Sequence, residues 1–579
     1  MHELLRLKKY YKRYWLHTVI GVISLAVIDL LQLFIPRIFK IAIDALASGV
    51  ATAAKLGSYF LWIMLLALGI AIGRFFWRYL LIGSSRKIER RLRSDFYNHL
   101  TTLDLLYFDV SKTGDLMAHA TNDINAVRMA IGFGLVILTD ILIMGIASIV
   151  MMLNISPMLT FYALIPFPLI AFFSTVFGRI IHRQFEMVQA SFSKLTERVR
   201  ENLSGIRVVK VFVQERAEIQ RYQSLSDDYV FRNMKLIQTW GLFFPVIMSL
   251  AAVGMVIVVG FGGRYVLINK ISLGSFVAFI AYLQMLVWPM IAIGRAINLF
   301  QRGAASQGRI NRILDEKPSI VSGSAKPKET EGGLVIRDLT FTHQGKTKPT
   351  LDNIDLTINP RDFIGITGPI GAGKSSLVNL MLRLYEPQSG SIQIDGMNIN
   401  ALAIKDLRSL IAYVPQDTFL FSDTLKENIA FGNNKATIDD IEKVSRIAEI
   451  HDEIKQFPEG FETRIGERGI TLSGGQKQRV ALARALLLNR PILILDDAFS
   501  AVDAETERRI LVSIKNELSS RTSIIISHRL FAIKEATRII VIDKGMIIEQ
   551  GSHKELLRQK GLYYDIFRTQ QIEMKLEAF

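Results

Sequence analysis

Long apolar stretches dominate the first half of the chain, and short ones the second. Six stretches before residue 302 reach the ~20 apolar residues that cross a bilayer as a helix, near 15–43, 57–83, 130–153, 158–181, 242–268 and 273–300. The connections between them are unequal. Arg86-Lys87-Ile88-Glu89-Arg90-Arg91-Leu92-Arg93 lies between the second and third stretches. Arg179, Arg183, Lys194, Arg198, Arg200, Arg207 and Lys210 lie between the fourth and fifth. The other connections (44–56, Asn154–Pro157 and Ile268–Ser272) are short and nearly uncharged. Basic loops stay on the inner side, so both termini are expected to be cytoplasmic. The two basic loops are long and helix-like rather than Gly/Pro-rich, and read as helical extensions of the spans.

Residues 2–13, with Arg6, Lys8, Lys9, Lys12 and Arg13, read as a basic amphipathic helix on the inner membrane face. They do not read as a signal peptide, because Asp29, Gln32 and Pro36 follow where a small-residue cleavage site would stand. Within the spans sit Asp29, Arg74, Arg78, Asp140 and Arg295. Charge is expensive at the bilayer centre, so each is expected to face an aqueous cavity or a partner. Arg74 and Arg78, one turn apart, equally suit an interface or a tie between helices. None is assigned to a substrate.

After Arg302 the pattern changes. Residues 303–333, with Lys317-Pro318, Gly323, Lys326-Pro327-Lys328 and Gly332-Gly333, read as a linker. From Leu334 onward, β-branched runs such as Phe363–Ile366, Ile492–Leu495 and Ser523–Ile526 alternate with helical segments, the pattern of an α/β domain. The fold class is therefore an all-α membrane domain of six helices followed by an α/β domain.

Composition narrows the function. The 579 residues are 50% hydrophobic and only 21% charged, which excludes a disordered chain. There is no cysteine, so disulfides, thiol nucleophiles and thiolate metal sites are excluded together. The net charge of +16 could mark a nucleic-acid binder. In an apolar chain it fits cytoplasmic loops beside anionic lipid better, and no nucleic acid is expected as a partner.

The candidate chemistry lies in the second half. Gly368-Pro369-Ile370-Gly371-Ala372-Gly373-Lys374-Ser375-Ser376 follows the strand Phe363–Thr367 and opens a helix, the context a P-loop requires. Glycines let backbone N–H groups curl around phosphates, and the helix N-terminus adds a favourable dipole. Lys374 supplies a cation for the β/γ-phosphates, and the Ser375 hydroxyl a ligand for Mg²⁺. Asp496, ending the apolar run Ile492–Leu495, stands where P-loop enzymes hold Mg²⁺. Leu472-Ser473-Gly474-Gly475-Gln476 precedes a helix and could be an ordinary start with a Ser cap.

With these motifs in this order, the chain resembles a half-transporter of the ATP-binding cassette (ABC) exporters over essentially its whole length. The resemblance implies an elbow helix at 1–14, a six-helix transmembrane domain at 15–302, a linker at 303–333 and an ABC nucleotide-binding domain at 334–579. It places Walker A at Gly368–Ser376, the Q-loop at Gln416, and a further matching stretch at Gly466-Glu467-Arg468-Gly469. The signature falls at Leu472–Gln476, Walker B at Ile492–Asp496, the D-loop at Ser500-Ala501-Val502-Asp503 and the switch at His528. Thr113-Gly114-Asp115-Leu116 and Thr121-Asn122-Asp123 are also similar to the family. The likeness is strongest to bacterial multidrug-type and lipid-type exporters, particularly those that pair as heterodimers.

The resemblance further implies ATP and Mg²⁺ as cofactors. Each ATP would sit between Walker A of one chain and Ser473, Gly474, Gly475 and Gln476 of the other. Mg²⁺ would be held by Ser375, Gln416 and Asp496, and Asp497, His528 and Gln416 would act in hydrolysis. Helices near 109–116 and 211–219 would pass movement to spans that alternate between inward-open and outward-open. The setting implied is the bacterial inner membrane, with lipid or an amphipathic molecule as substrate. An ATP-gated channel and a homodimeric lipid or peptide exporter are the alternatives.

Two positions depart from the family pattern. Asp497 stands where a catalytic Glu is usual, and one methylene less leaves its carboxylate about 1 Å short of the water, an error that can cost on the order of a hundredfold. His343 stands where an aromatic residue usually stacks on adenine, and imidazole offers less area. The expectation is a degenerate site on this chain's own P-loop and a second half-transporter with Glu after its Walker B Asp.

Overall fold

The computed structural model describes residues 2–327, 330–466 and 471–577, with side chains to 572. Glu467, Arg468 and Gly469 of the stretch singled out above lie outside the described residues. The chain forms two compact units: residues up to Thr102 with Ser111–Glu316, and Leu103–Val110 with Lys317–Phe579.

The first unit holds six helices long and apolar enough to cross a membrane: α1 (Lys8–Ala47), α2 (Ala53–Leu100), α3 (Thr113–Ile155), α4 (Pro157–Ser204), α5 (Glu215–Leu267) and α6 (Leu273–Asp315). Their large apolar side chains, among them Phe60, Trp62, Leu68 and Phe172, are more than half exposed. A surface of that kind fits lipid and not water. Small residues bring the helices together. A Cβ on Gly73 would stand 2.7 Å from Ile28 Cγ1, and one on Gly21 3.1 Å from Leu81 Cβ, so α1 and α2 meet closely at two glycines. Asp44 near the end of α1 accepts hydrogen bonds from Ser272 Oγ and Gly274 N at the start of α6, both at 2.8 Å. Single turns of π-helix at Arg78–Ile82, His119–Asp123 and Val258–Gly262 interrupt α2, α3 and α5.

Three boundaries differ from the sequence reading. The opening segment is not one surface helix over 2–13. A four-residue helix, His2–Leu5, is followed by a turn, and α1 begins at Lys8. Leu7 and Tyr10 are buried, and Glu3 accepts a hydrogen bond from Asn311 Nδ2 at 2.6 Å, so packing fixes the break. Residues 303–315 are not linker, because α6 runs through them. Gly303 packs on Ala130, and Asp123 accepts from Ser306 Oγ (2.8 Å), Arg309 Nε (2.8 Å) and His119 Nδ1 (2.6 Å). The bonds from Ser306 and Arg309 to buried Asp123 hold the helix where composition alone reads as loop. The expected loop helices are also displaced: Leu105–Val110 and Thr113–Ala118 flank a break at 111–112, and Phe212–Gln214 separates Ile206–Val211 from α5.

The second unit is α/β. Strands β1 (Leu334–Phe341), β2 (Leu351–Ile358), β4 (Ser389–Ile394) and β5 (Met397–Asn398) form an antiparallel sheet in the order β2-β1-β4-β5. Strands β3 (Phe363–Thr367), β6 (Ile411–Val414), β7 (Ile492–Asp496), β8 (Thr522–Ile526), β9 (Arg538–Asp543) and β10 (Met546–Gly551) form a second, in the order β10-β9-β3-β8-β7-β6. Only the β9–β10 edge of that sheet is antiparallel. β7 and β8 are buried at every residue, as strands covered on both faces must be. Register sets up the site. Ile366 pairs with Ile526, Ile526 with Asp496, and Leu495 with Val414, so the carboxyl ends of four parallel strands finish in line.

Candidate functional site

Whatever follows those four strand ends is gathered at one edge of the sheet, where ligands of α/β folds bind. Gly368 follows β3, Pro415 and Gln416 follow β6, Asp497 follows β7, and Ser527 and His528 follow β8. Beside them lies a cavity of about 190 Å³ lined by Ile370 through Ser376, Gln416, Asp496, Asp497, His528 and His343, while Gly368 and Pro369 stay outside its lining.

The loop from β3 into helix α7 (Lys374–Met381) is built on glycine. Gly368 has φ +144°, and a Cβ there would lie 1.9 Å from the Ile542 carbonyl oxygen. Gly373 has φ +100°, and its Cβ would meet the Thr350 carbonyl at 2.6 Å. No other residue type fits both the dihedral and the space. Lys374 is buried and folds back over the loop, donating to the carbonyls of Gly368 (2.9 Å) and Pro369 (2.8 Å). Burial lowers the affinity of its ammonium for the proton, and Asp496 and Asp497 oppose that shift.

Asp496 ends β7 with 1% exposure, and its Oδ2 has no hydrogen-bond partner. Burial and the neighbouring Asp497 raise its proton affinity, while Ser375 and Lys374 lower it. A buried carboxylate oxygen without a partner, beside the Ser375 hydroxyl, is a hard-oxygen donor set that fits Mg²⁺. Asp497 adopts φ +49°, with its N–H held by the Ile526 carbonyl at 2.9 Å. Asp tolerates that left-handed backbone better than longer side chains do. His528 also faces the cavity, and burial with nearby Lys374 keeps its ring neutral more readily than a free histidine.

His343 is placed differently from the rest. Its ring stands edge-on to Phe341 (4.7 Å) and Tyr385 (5.4 Å), and Nε2 lies 3.1 Å from Ser376 Oγ. Ser473, Gly474, Gly475 and Gln476 do not line this cavity. Ser473 caps helix α8 (Gly474–Leu487) in a reciprocal capping box with Gln476, whose Nε2 donates to Glu453 at 2.8 Å. The Gln476 side chain is thus engaged within its own fold. A Cβ on Gly475 would stand 2.8 Å from the Ala501 carbonyl, which brings the D-loop onto the start of α8.

Several residues that hold this arrangement carry no motif. Gln478 donates to Ser500 Oγ at 2.8 Å and accepts from Ala501 N at 2.9 Å. Arg529, next to His528, donates to the Val502 carbonyl (2.9 Å) and to buried Glu507 (2.7 Å), fastening the switch to the D-loop. Gln570 in the helix Leu562–Glu577 donates to the His528 carbonyl at 2.6 Å and accepts from Leu530 N at 3.0 Å. Leu105–Val110, from early in the chain, belongs to this second unit, where Tyr385 donates to Asp109 Oδ2 at 2.7 Å.

Comparison with known proteins agrees with this geometry. Residues 18–290 match the ABC transporter transmembrane region and 351–500 the ABC transporter domain. The chain is 37% identical over 571 residues to the probable multidrug resistance ABC transporter ATP-binding/permease protein YheI of Bacillus subtilis, covering 98% of each. The chain belongs to the ABC transporters. It is also 37% identical to the multidrug resistance-like ATP-binding protein MdlA of Escherichia coli, covering 100% of this chain and 98% of that one. An ATP-dependent lipid A-core flippase of Thiobacillus denitrificans is 32% identical over 572 residues, 98% of each chain. A solved structure of a bacterial Atm1-family ABC exporter with ATP bound superimposes with a TM-score of 0.78 at 27% identity, over 96% of this chain and 99% of that one.

The ABC chain is a multi-pass membrane protein with the exporter fold, and an ATPase coupled to transport. Exporters of this fold work as dimers on lipid or amphipathic substrates.

Proposed function

We propose that this chain is one half of a heterodimeric exporter, moving amphipathic small molecules or lipids out through a bacterial inner membrane. Both termini are cytoplasmic, and the nucleotide-binding part begins near Leu334. The observation that carries the two-chain reading is the split between the two halves of an ATP site, and the pairing with a different chain rests on Asp497 standing where Glu is usual. The strand-end cavity gathers Lys374, Ser375, Gln416, Asp496, Asp497 and His528, while the Ser473–Gln476 turn faces elsewhere.

In this reading the P-loop N–H groups and Lys374 bind the ATP phosphates. Ser375, Gln416 and Asp496 would hold Mg²⁺, which would supply positive charge beside the phosphates. Asp497 orients the attacking water from too far away, and neutral His528 hydrogen-bonds the γ-phosphate. The Ser473 hydroxyl and the N–H groups of Gly474 and Gly475 close over the partner's nucleotide. Closure follows because ATP binds the joined state preferentially. The Tyr385–Asp109 bond ties the helix Leu105–Val110 to this machinery.

The partner carries Glu after its Walker B Asp, so one site turns over while the other holds ATP. Relatives named as multidrug transporters and lipid A-core flippases support the substrate class. The test is affinity purification of the tagged chain from its own membranes. A stoichiometric second half-transporter with Glu at that position is expected; a homodimer would refute the pairing.

A further inference from the structure

The first unit contains a charged cavity of about 340 Å³ among α1, α2, α3 and α6. Asp29 and Gln32, one turn apart on α1, face it, together with Arg74, Trp77 and Arg78 of α2, Asp140 of α3 and Trp288 of α6. Gly73 is what lets α2 approach: its missing side chain leaves room for Ile28, and the next residue, Arg74, reaches the Asp29 face.

Asp29 is 3% exposed, lines this cavity, and has an Oδ2 with no hydrogen-bond partner. Among the described residues, neither Asp29 nor Asp140 takes part in an ion pair. A carboxylate without an ion-pair partner inside a span is costly, and retained ones mark a ligand or ion path. The cations nearby are not ion-paired with the two aspartates. Arg78 sits over the Trp77 ring at 5.6 Å. Arg74 and Arg78 also line a second, more open cavity of about 840 Å³ with Phe75 and Tyr79, which no carboxylate enters. Both arginines also line the aspartate cavity, without an ion pair to Asp29 or Asp140.

We propose that Asp29 and Asp140 form a binding subsite for the positively charged group of an amphipathic substrate, an organic ammonium or phosphonium. The exposed Trp288 ring offers it a cation–π face, and Gln32 a neutral hydrogen-bond partner. This subsite deepens, and rests on, the exporter reading. It narrows the substrate class to organic cations.

The experiment uses the transporter as assembled in its own membranes, purified and placed in nanodiscs of zwitterionic lipid. Tetraphenylphosphonium and tetraphenylborate have nearly the same shape and opposite charge. Binding is read from tryptophan fluorescence, corrected with empty nanodiscs, and from ATPase stimulation. Tetraphenylphosphonium is expected to half-saturate at a concentration about tenfold or more below that of tetraphenylborate. Asp29→Asn should raise its half-saturation by about tenfold, and Asp29→Glu should restore most of it. If Asp29→Asn fails to assemble, Asp140→Asn is expected to show the same rise. Equal affinity for the two ions, preference for the borate, or an undiminished phosphonium response in the Asn variants would overturn the subsite. Failure of the exporter reading shows separately, as ATPase that survives Lys374→Ala.

Discussion

The cavity at the strand ends of the second unit and the cavity among the helices of the first each set two aspartates near a basic side chain. They are built in opposite ways. Asp496 and Asp497 stand at the end of β7 and Lys374 at the start of α7 beyond β3, and the ladder through β8 fixes those two strand ends. Asp29, Asp140 and Arg74 come from three separate helices joined by side-chain packing and a few side-chain hydrogen bonds, with no backbone ladder between them. Backbone-fixed charge suits chemistry that must not drift by 1 Å. Charge on helices that slide suits a ligand site that opens and closes.

Removing the cation at the strand ends should have the largest effect. Lys374→Ala deletes the buried ammonium of the P-loop, and ATPase should fall by about a hundredfold or more. Survival of ATPase would detach catalysis from this cavity.

Next comes the backbone itself. Gly368→Ala forces a Cβ against the Ile542 carbonyl at an unsuitable dihedral, and should destabilise the second unit by about 2–4 kcal/mol and weaken ATP binding. Gly274→Ala would put a Cβ 2.1 Å from the Lys40 carbonyl at the α1–α6 contact. If slack packing is the rule among the helices, it should cost less than Gly368→Ala. Thermal melts of both variants in detergent, with and without Mg-ATP, decide the order.

A smaller effect should follow pH. His343, His528 and His553 all have proton affinities lowered from the usual 6.5, burial being the first cause for each. The unfolded chain therefore binds protons that the folded one resists. Their contribution to stability is full above about 6.5 and declines as pH falls through that value. The second unit should melt lower at pH 5.5 than at 7.5, and His528→Gln should flatten the difference. A melting point that rises on acidification would contradict the burial argument.

Tyr385→Phe should have the smallest effect. It removes one hydrogen bond to Asp109, worth roughly 1–2 kcal/mol, and leaves the ring packed. Transport per ATP hydrolysed should fall while ATP binding holds. Unchanged coupling would remove Leu105–Val110 from the transmission route.

The same contrast explains what the sequence disclosed. Gly368, Lys374 and Asp496 were legible because strand-then-loop order encodes their meeting, His528 was legible only through the family resemblance, and the six spans were legible from apolar length. The run 303–315 was not, since its Gly, Ser and Arg composition reads as loop until Asp123, nearly two hundred residues earlier, is seen bonding Ser306 and Arg309. The break at Arg6–Leu7 depends likewise on the burial of Leu7. Gln478, Arg529 and Gln570 stayed hidden because each acts through a backbone carbonyl or a loop hydroxyl, for which no residue pattern exists. Asp29 and Asp140 were visible as costly charges, but their shared cavity depends on helix packing.

The central claim is that this chain's own P-loop site is the slow one because Asp497 stops short of the water. The decisive measurement is Mg-ATPase of the purified chain alone, of the same chain with Asp497→Glu, and of each with its partner. The account predicts slow hydrolysis alone, a gain of up to about a hundredfold with Asp497→Glu, and fast turnover when the partner contributes its Glu. Turnover of the chain alone at the roughly 1–10³ per second of ordinary enzymes, with no gain from Asp497→Glu, would contradict it.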